Sequence, residues 1–135
     1  MRTPEQILRE SRTIAVVGLS NNPQRDSHRV ARYLQEQGYR IIPVNPTIAD
    51  ALGERSYPDL RAIPEPVDLV DVFRRSEEVL PVAKQAVAIG ARALWLQDGV
   101  INEQAAALAR DAGLDVVMDD CSLRQHQRLR REGKL

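Results

Sequence analysis

The sequence predicts an α/β protein: five parallel strands in one doubly wound sheet, with helices on both faces in three α/β/α layers. Two observations carry this. Apolar runs of strand length alternate with helical stretches along nearly the whole chain. The first of these runs is near-continuous and rich in β-branched residues, the pattern of a strand covered on both faces, as a central parallel strand is. At 135 residues, 43% hydrophobic and 28% charged, the chain fits one globular domain, residues 1–135, that can bury a core without disulfide or metal staples.

Thr3-Pro4-Glu5-Gln6 reads as a capping box with proline at the first helical position, predicting a short helix over 4–11. Thr13 to Leu19 is the first strand. Asp26 or Ser27 caps the next helix, in which Val30, Ala31, Tyr33 and Leu34 have helical spacing and Gly38 supplies a left-handed stop. Tyr39 to Pro46 is strand two. Thr47 to Pro66, with Gly53, Pro58, Pro64 and Pro66, reads as loop with short helical turns, long enough to cover a ligand. Val67 to Phe73 is strand three, and Ser76-Glu-Glu opens a helix with acidic residues where the dipole favours them, ending at Gly90. Ala93 to Gln97 is strand four; Asn102 caps a helix through Arg110 that Gly113 ends. Asp115 to Asp119 is strand five, and a last helix covers 122–131. Right-handed crossovers turn this order into a Rossmann-like domain.

A formal net charge of zero argues against a nucleic-acid partner. The basic tail after Leu123 has no interleaved aromatics and reads as a solvated helix face. Nothing approaches the roughly 20 consecutive apolar residues that span a bilayer, and the amino terminus has no signal-peptide core, so no membrane is expected. The lone Cys121 excludes an intrachain disulfide and a multi-cysteine metal site, which suits a reducing, cytoplasmic location. The sequence names no protein partner.

In such a sheet, ligands collect outside the carboxyl ends of the strands, where strand order reverses. That selects residues 18–28, 45–47, 73–75, 97–99 and 119–121. The turn Gly18-Leu-Ser20-Asn21-Asn22-Pro23 lacks the second and third glycines of the dinucleotide fingerprint, and strand two ends in Asn45-Pro46 rather than the acidic residue that holds a ribose. Phosphate still fits: a glycine, hydroxyls at Ser20 and Ser27, amides, a helix start and the guanidinium of Arg25 suit a diphosphate, against the plainer reading of a well-capped strand-helix turn. Asn45 and Pro46 offer a hydrogen bond and a rigid edge for a base, or equally an Asx turn that ends a strand. Phe73 and Arg74 offer stacking and anion pairing, or a buried ring and a solvated arginine. Alternation puts Trp95 and Gln97 on the same side, Trp95 reading as core on burial grounds and Gln97 at the rim, with Gly99 permitting close backbone approach. Gly-x-Ser without its second glycine does not make a hydrolase elbow, and Cys121 with His126 has no recognised metal spacing.

The succession Val-Gly-Leu-Ser (17–20), Pro-Val-Asn-Pro (43–46), Val-Asp-Leu-Val-Asp-Val-Phe-Arg (67–74), Leu-Trp-Leu-Gln-Asp-Gly (94–99) and Val-Val-Met-Asp-Asp-Cys (116–121) resembles the small stand-alone CoA-binding proteins. These are similar to the amino-terminal CoA-binding domain of the succinyl-CoA synthetase alpha subunit. The resemblance covers residues 4–123 and implies that coenzyme A, or an acyl-CoA, lies across the carboxyl ends of the strands. It implies phosphate contacts at Gly18, Ser20 and Asn21, supported by Arg25 and Ser27. Asn45 and Pro46 would border the nucleotide, Phe73 and Arg74 the next segment, and Gln97 and Gly99 the pantetheine arm.

Two departures stand out. Asp120 replaces the arginine common in the family's Asp-Arg-Cys, and His28 stands where a tyrosine often follows the serine. The synthetase's phosphorylated histidine belongs to a separate domain, so its ligase chemistry is not implied. The expectation is a binding module without catalysis. The alternatives are an enzyme or redox-regulated subunit using Cys121 with the CoA thiol or an acyl group, and a module for NAD or another nucleotide.

Overall fold

A computed structural model describes all 135 residues. The first helix, α1 (Pro4–Glu10), starts at the expected capping box: Thr3 Oγ1 accepts from Gln6 N at 3.2 Å and Gln6 Oε1 from Thr3 N at 2.9 Å. Its Ile7 and Leu8 are buried. Then follow β1 (Thr13–Val17), α2 (Asp26–Glu36), β2 (Arg40–Val44), a small hairpin of β3 (Asp50–Ala51) and β4 (Glu54–Arg55), and β5 (Leu69–Val72). The chain ends with α3 (Val79–Ala88), β6 (Ala93–Leu96), α4 (Glu103–Asp111), β7 (Asp115–Val117) and α5 (Ser122–Arg131). No helix is long and apolar enough to cross a membrane.

The five expected strands form one parallel sheet in the order β2-β1-β5-β6-β7, an α/β Rossmann-like fold. The strand period of two divides the core. Ala15, Val17, Val70, Val72, Leu94 and Leu96 pack on the α3/α4 side. Ile14, Val16, Leu69, Ala93 and Trp95 pack against α1, α2 and α5. Trp95 is fully buried and its indole N–H donates to Asp120 O at 3.0 Å, the core role expected of a large aromatic. On the same side, Tyr33 of α2 and His126 of α5 share a hydrogen bond of 2.7 Å.

Each strand closes one or more residues before its apolar run does, because the carboxyl-terminal residues turn out into the rim. The Thr47–Pro66 segment holds a 3-10 turn at Leu60–Ala62, as expected of a loop with helical turns, but also the hairpin, which was not expected. Two-residue strands are too short to show alternation, and the turn places Leu52 at φ 55 beside Gly53 at φ 77 without the usual Asn-Gly signal. Neither Asp26 nor Ser27 caps α2: the N-cap is Arg25, with no side-chain cap bond. Ser76 likewise opens a 3-10 turn (Ser76–Glu78) ahead of α3, and its hydroxyl accepts from Ile101 N and donates to Gly99 O. Asn102 caps α4 as expected, accepting from Ala105 N at 2.9 Å.

Candidate functional site

Strand order reverses between β1 and β5. From β1 the chain crosses through α2 to β2 on one side, and from β5 it runs through α3 and α4 toward β7 on the other. The connections diverge there and leave a crevice above the carboxyl ends of the two strands.

Gly18 stands at its floor with φ +86. A Cβ there would lie 3.0 Å from the Phe73 carbonyl carbon and inside the van der Waals surface of its oxygen. The glycine therefore lets the ends of β1 and β5 meet, a requirement of the fold itself beyond the approach to phosphate expected of it. Gly18 N donates to Val44 O and Phe73 N to Val17 O, both at 2.8 Å, which ties the two ends down.

The loop above Gly18 organises itself. Ser27 Oγ accepts from Ser20 N, Ser20 Oγ from Asn22 N, and Asn22 Oδ1 from Gln24 N, each at 3.0 Å. Asn45 Nδ2 donates to Leu19 O at 3.1 Å, while its Oδ1 accepts from Thr47 N and Oγ1. Asn45 thus forms the Asx turn and anchors the loop, and Ser27 shapes the loop with an oxygen that is already in use. Pro46 and Asn21 are exposed.

What remains free is cationic or donating. The N–H groups of Asp26, Ser27 and His28 in the first turn of α2 bond to nothing in the protein. Arg25 and Arg74 make no ion pair, whereas Arg75 pairs with Glu78 and Arg29 with Asp26. Arg25, Gly18, Ser20, Ser27 and Phe73 line a hollow of about 380 Å³, with the exposed Asp26 at its edge. Phe73 also walls a second hollow of about 260 Å³, beside Gln97, Val100 and Cys121. Arg74 lies over the other side of the sheet in a hollow of about 300 Å³ lined by Val17, Val44, Leu60 and Pro81. Phe73-Arg74 is the ridge on which the three hollows meet.

Gln97 differs from the expectation of an open rim residue. It is 4% exposed, with its amide nitrogen turned inward to Asp71 and Ser122. Gly99, at φ +77, joins two loops: its N–H donates to Asp119 Oδ1 at 2.7 Å and its carbonyl accepts from Ser76. Asp120, where the family pattern has a cation, is balanced by Arg124 at 2.8 Å and by Gln125, and Arg124 also forks onto Asp98. The Arg124 guanidinium holds the Asp98 carboxyl below the usual range. His28 is buried with Nδ1 unpartnered, and burial next to Arg32 lowers its pKa, which favours the neutral imidazole.

Sequence reading missed Asp71. It lies in mid-strand, fully buried, and burial pushes its carboxyl up to about 6 against the pull of its hydrogen bonds from Gln97 and Ser122. The signal was present: an acid inside an apolar run covered on both sides needs buried donors.

Comparison with known proteins shows the family to which the chain belongs. A family profile described as a CoA binding domain matches residues 12–127. The uncharacterized protein YneT of Bacillus subtilis (strain 168) is 46% identical over 117 residues, 87% of each chain. The solved structure of a hypothetical protein from Pyrococcus horikoshii OT3 superposes with a TM-score of 0.91 at 37% identity, over 95% of this chain and 92% of that one. The alpha subunit of the ADP-forming acetate–CoA ligase II of Pyrococcus furiosus is 39% identical over 59 residues, 43% of this chain and 13% of that subunit. By the extent of the profile match and the identity to its relatives, the chain belongs to the CoA-binding domain family.

Proposed function

We propose that the protein binds coenzyme A or an acyl-CoA in the β1/β5 crevice as a binding module, without chemistry on the ligand. One observation carries this reading: the unbonded first turn of α2 and Arg25 share the hollow above Gly18, and neither Arg25 nor Arg74, on the ridge beside it, makes an ion pair. The diphosphate rests on the Gly18–Ser27 loop, where Ser20 and Asn21 flank it, Arg25 supplies charge and the free hydroxyl hydrogen of Ser27 supplies a donor. The nucleotide extends past Asn45 and Pro46 and the Phe73-Arg74 ridge, and the pantetheine arm runs toward Gln97 and Gly99. Competitive thermal-shift measurements with CoA, acetyl-CoA, NAD and ATP test it. CoA or its thioester should raise the melting temperature most; a larger shift with NAD or ATP overturns the assignment.

A second reading follows from Cys121, a half-buried thiol in the same hollow as Phe73 and Gln97. Its thiolate attacks CoA disulfide, forming a Cys121–CoA disulfide and releasing one CoA thiolate. Intact mass after incubation with CoA disulfide, compared with Cys121→Ser, decides this: an adduct confined to the wild type supports it, and its absence removes it.

A further inference from the structure

Asp71, Gln97 and Ser122 come from β5, the end of β6 and the start of α5, and they close a ring of hydrogen bonds against the second hollow. Gln97 Nε2 donates to Asp71 Oδ1 and, at 2.8 Å, to Ser122 Oγ, while Ser122 Oγ donates to Asp71 Oδ2 at 2.9 Å. Asp71 and Ser122 are fully buried. With Asp71 ionised, the ring has only one polarity. A carboxylate accepts and never donates, so both Asp71 oxygens call for donors. Ser122 has a single hydroxyl hydrogen, which goes to Oδ2, and so it accepts from the Gln97 nitrogen. The amide nitrogen of Gln97 is thereby turned inward. Its Oε1 has no partner in the protein, on a residue that helps wall the hollow of about 260 Å³. That oxygen meets water while the hollow is open, so a ligand segment that covers it costs free energy unless the segment itself carries a donor.

We propose that Asp71 and Ser122 are positioning residues that present the Gln97 oxygen to this hollow, so that this end of the crevice selects a ligand segment carrying an N–H or O–H donor. The inference rests on the CoA reading, because the pantetheine arm carries amide N–H groups and a hydroxyl where a plain alkyl chain would leave Oε1 unpaired. Asp71→Asn removes the fixed polarity, since an asparagine amide can donate to Gln97 Oε1 and draw it inward.

Calorimetric titration with CoA and with adenosine 3′,5′-bisphosphate, which lacks the arm, separates positioning from general loosening. In Asp71→Asn, CoA affinity should fall roughly five- to thirty-fold, the loss of one neutral hydrogen bond with part of its desolvation, while bisphosphate affinity stays within about twofold. Ser122→Ala should act in the same direction and less. An equal fall for both ligands, or no fall for CoA, overturns the proposal. If the variants do not fold, nitrogen-15 NMR of the wild type decides. The Gln97 side-chain amide protons should exchange slowly both free and with saturating CoA; rapid exchange shows the nitrogen facing solvent and refutes the ring's polarity. A wild type that binds no CoA ends the CoA reading, while the exchange measurement still judges the ring.

Discussion

Gly18→Ala places a methyl group where two strand ends converge. Two costs apply. The left-handed backbone at φ +86 strains a residue with a Cβ by about 1–2 kcal/mol. The methyl also overlaps the Phe73 carbonyl, a backbone group that cannot rotate away as a side chain would. Relief requires β1 and β5 to part, which stretches the 2.8 Å bond from Phe73 N to Val17 O. At roughly 0.5–1.5 kcal/mol for that bond, the total comes to about 1.5–3.5 kcal/mol. Gly99→Ala is the matched control: its φ is +77, but nothing lies within 4 Å of the added Cβ, so only the strain applies. Urea unfolding of both variants beside the wild type gives the difference directly. Gly18→Ala should be the less stable by about 0.5–1.5 kcal/mol, one bond's worth. Equal midpoints at equal slope would refute the close approach of β1 and β5.

The buried Asp71 carboxyl, raised to about 6, makes the folded state hold its proton more tightly than the unfolded chain does. Stability should therefore be greatest below the ordinary carboxylate range and fall as pH rises to about 6, by about 3 kcal/mol for two pKa units. Urea midpoints from pH 4 to 7 should show this slope in the wild type and lack it in Asp71→Asn; parallel profiles refute the shift. Arg25→Ala should weaken CoA binding by about 1.5–3 kcal/mol at an unchanged unfolding midpoint, because the side chain has no partner in the protein. Ser27→Ala should weaken both binding and folding, since it strands Ser20 N; a stability loss below about 0.5 kcal/mol would refute that bond's structural role. Asn45→Ala should cost about 1–2 kcal/mol of stability through the released Leu19 carbonyl and Asx turn, read in the same unfolding assay.

Element order and type were legible in the sequence because they depend on near neighbours. The Thr3-Gln6 capping box, the doubly covered run at Ile14–Val17, the Asn102 cap and the glycine after α2 all act within a few residues, where backbone sterics and hydrophobic period dominate. Burial tendency placed Trp95 inside and alternation put Gln97 on its side; the same alternation applied to Val67–Phe73, once strand register is known, puts Asp71 there too. The strand order, and with it the switch point, set which strand ends meet. Only the tertiary structure showed that Gly18 is required by Phe73, 55 residues away in the chain, that the oxygens of Ser27 and Asn45 are held by the loop, and that Gln97 is turned inward by Asp71 and Ser122. The physical reason is register. Hydrogen-bond partners 26 and 51 residues apart are chosen by how strands align across a sheet, a long-range outcome that local sequence does not encode one residue at a time.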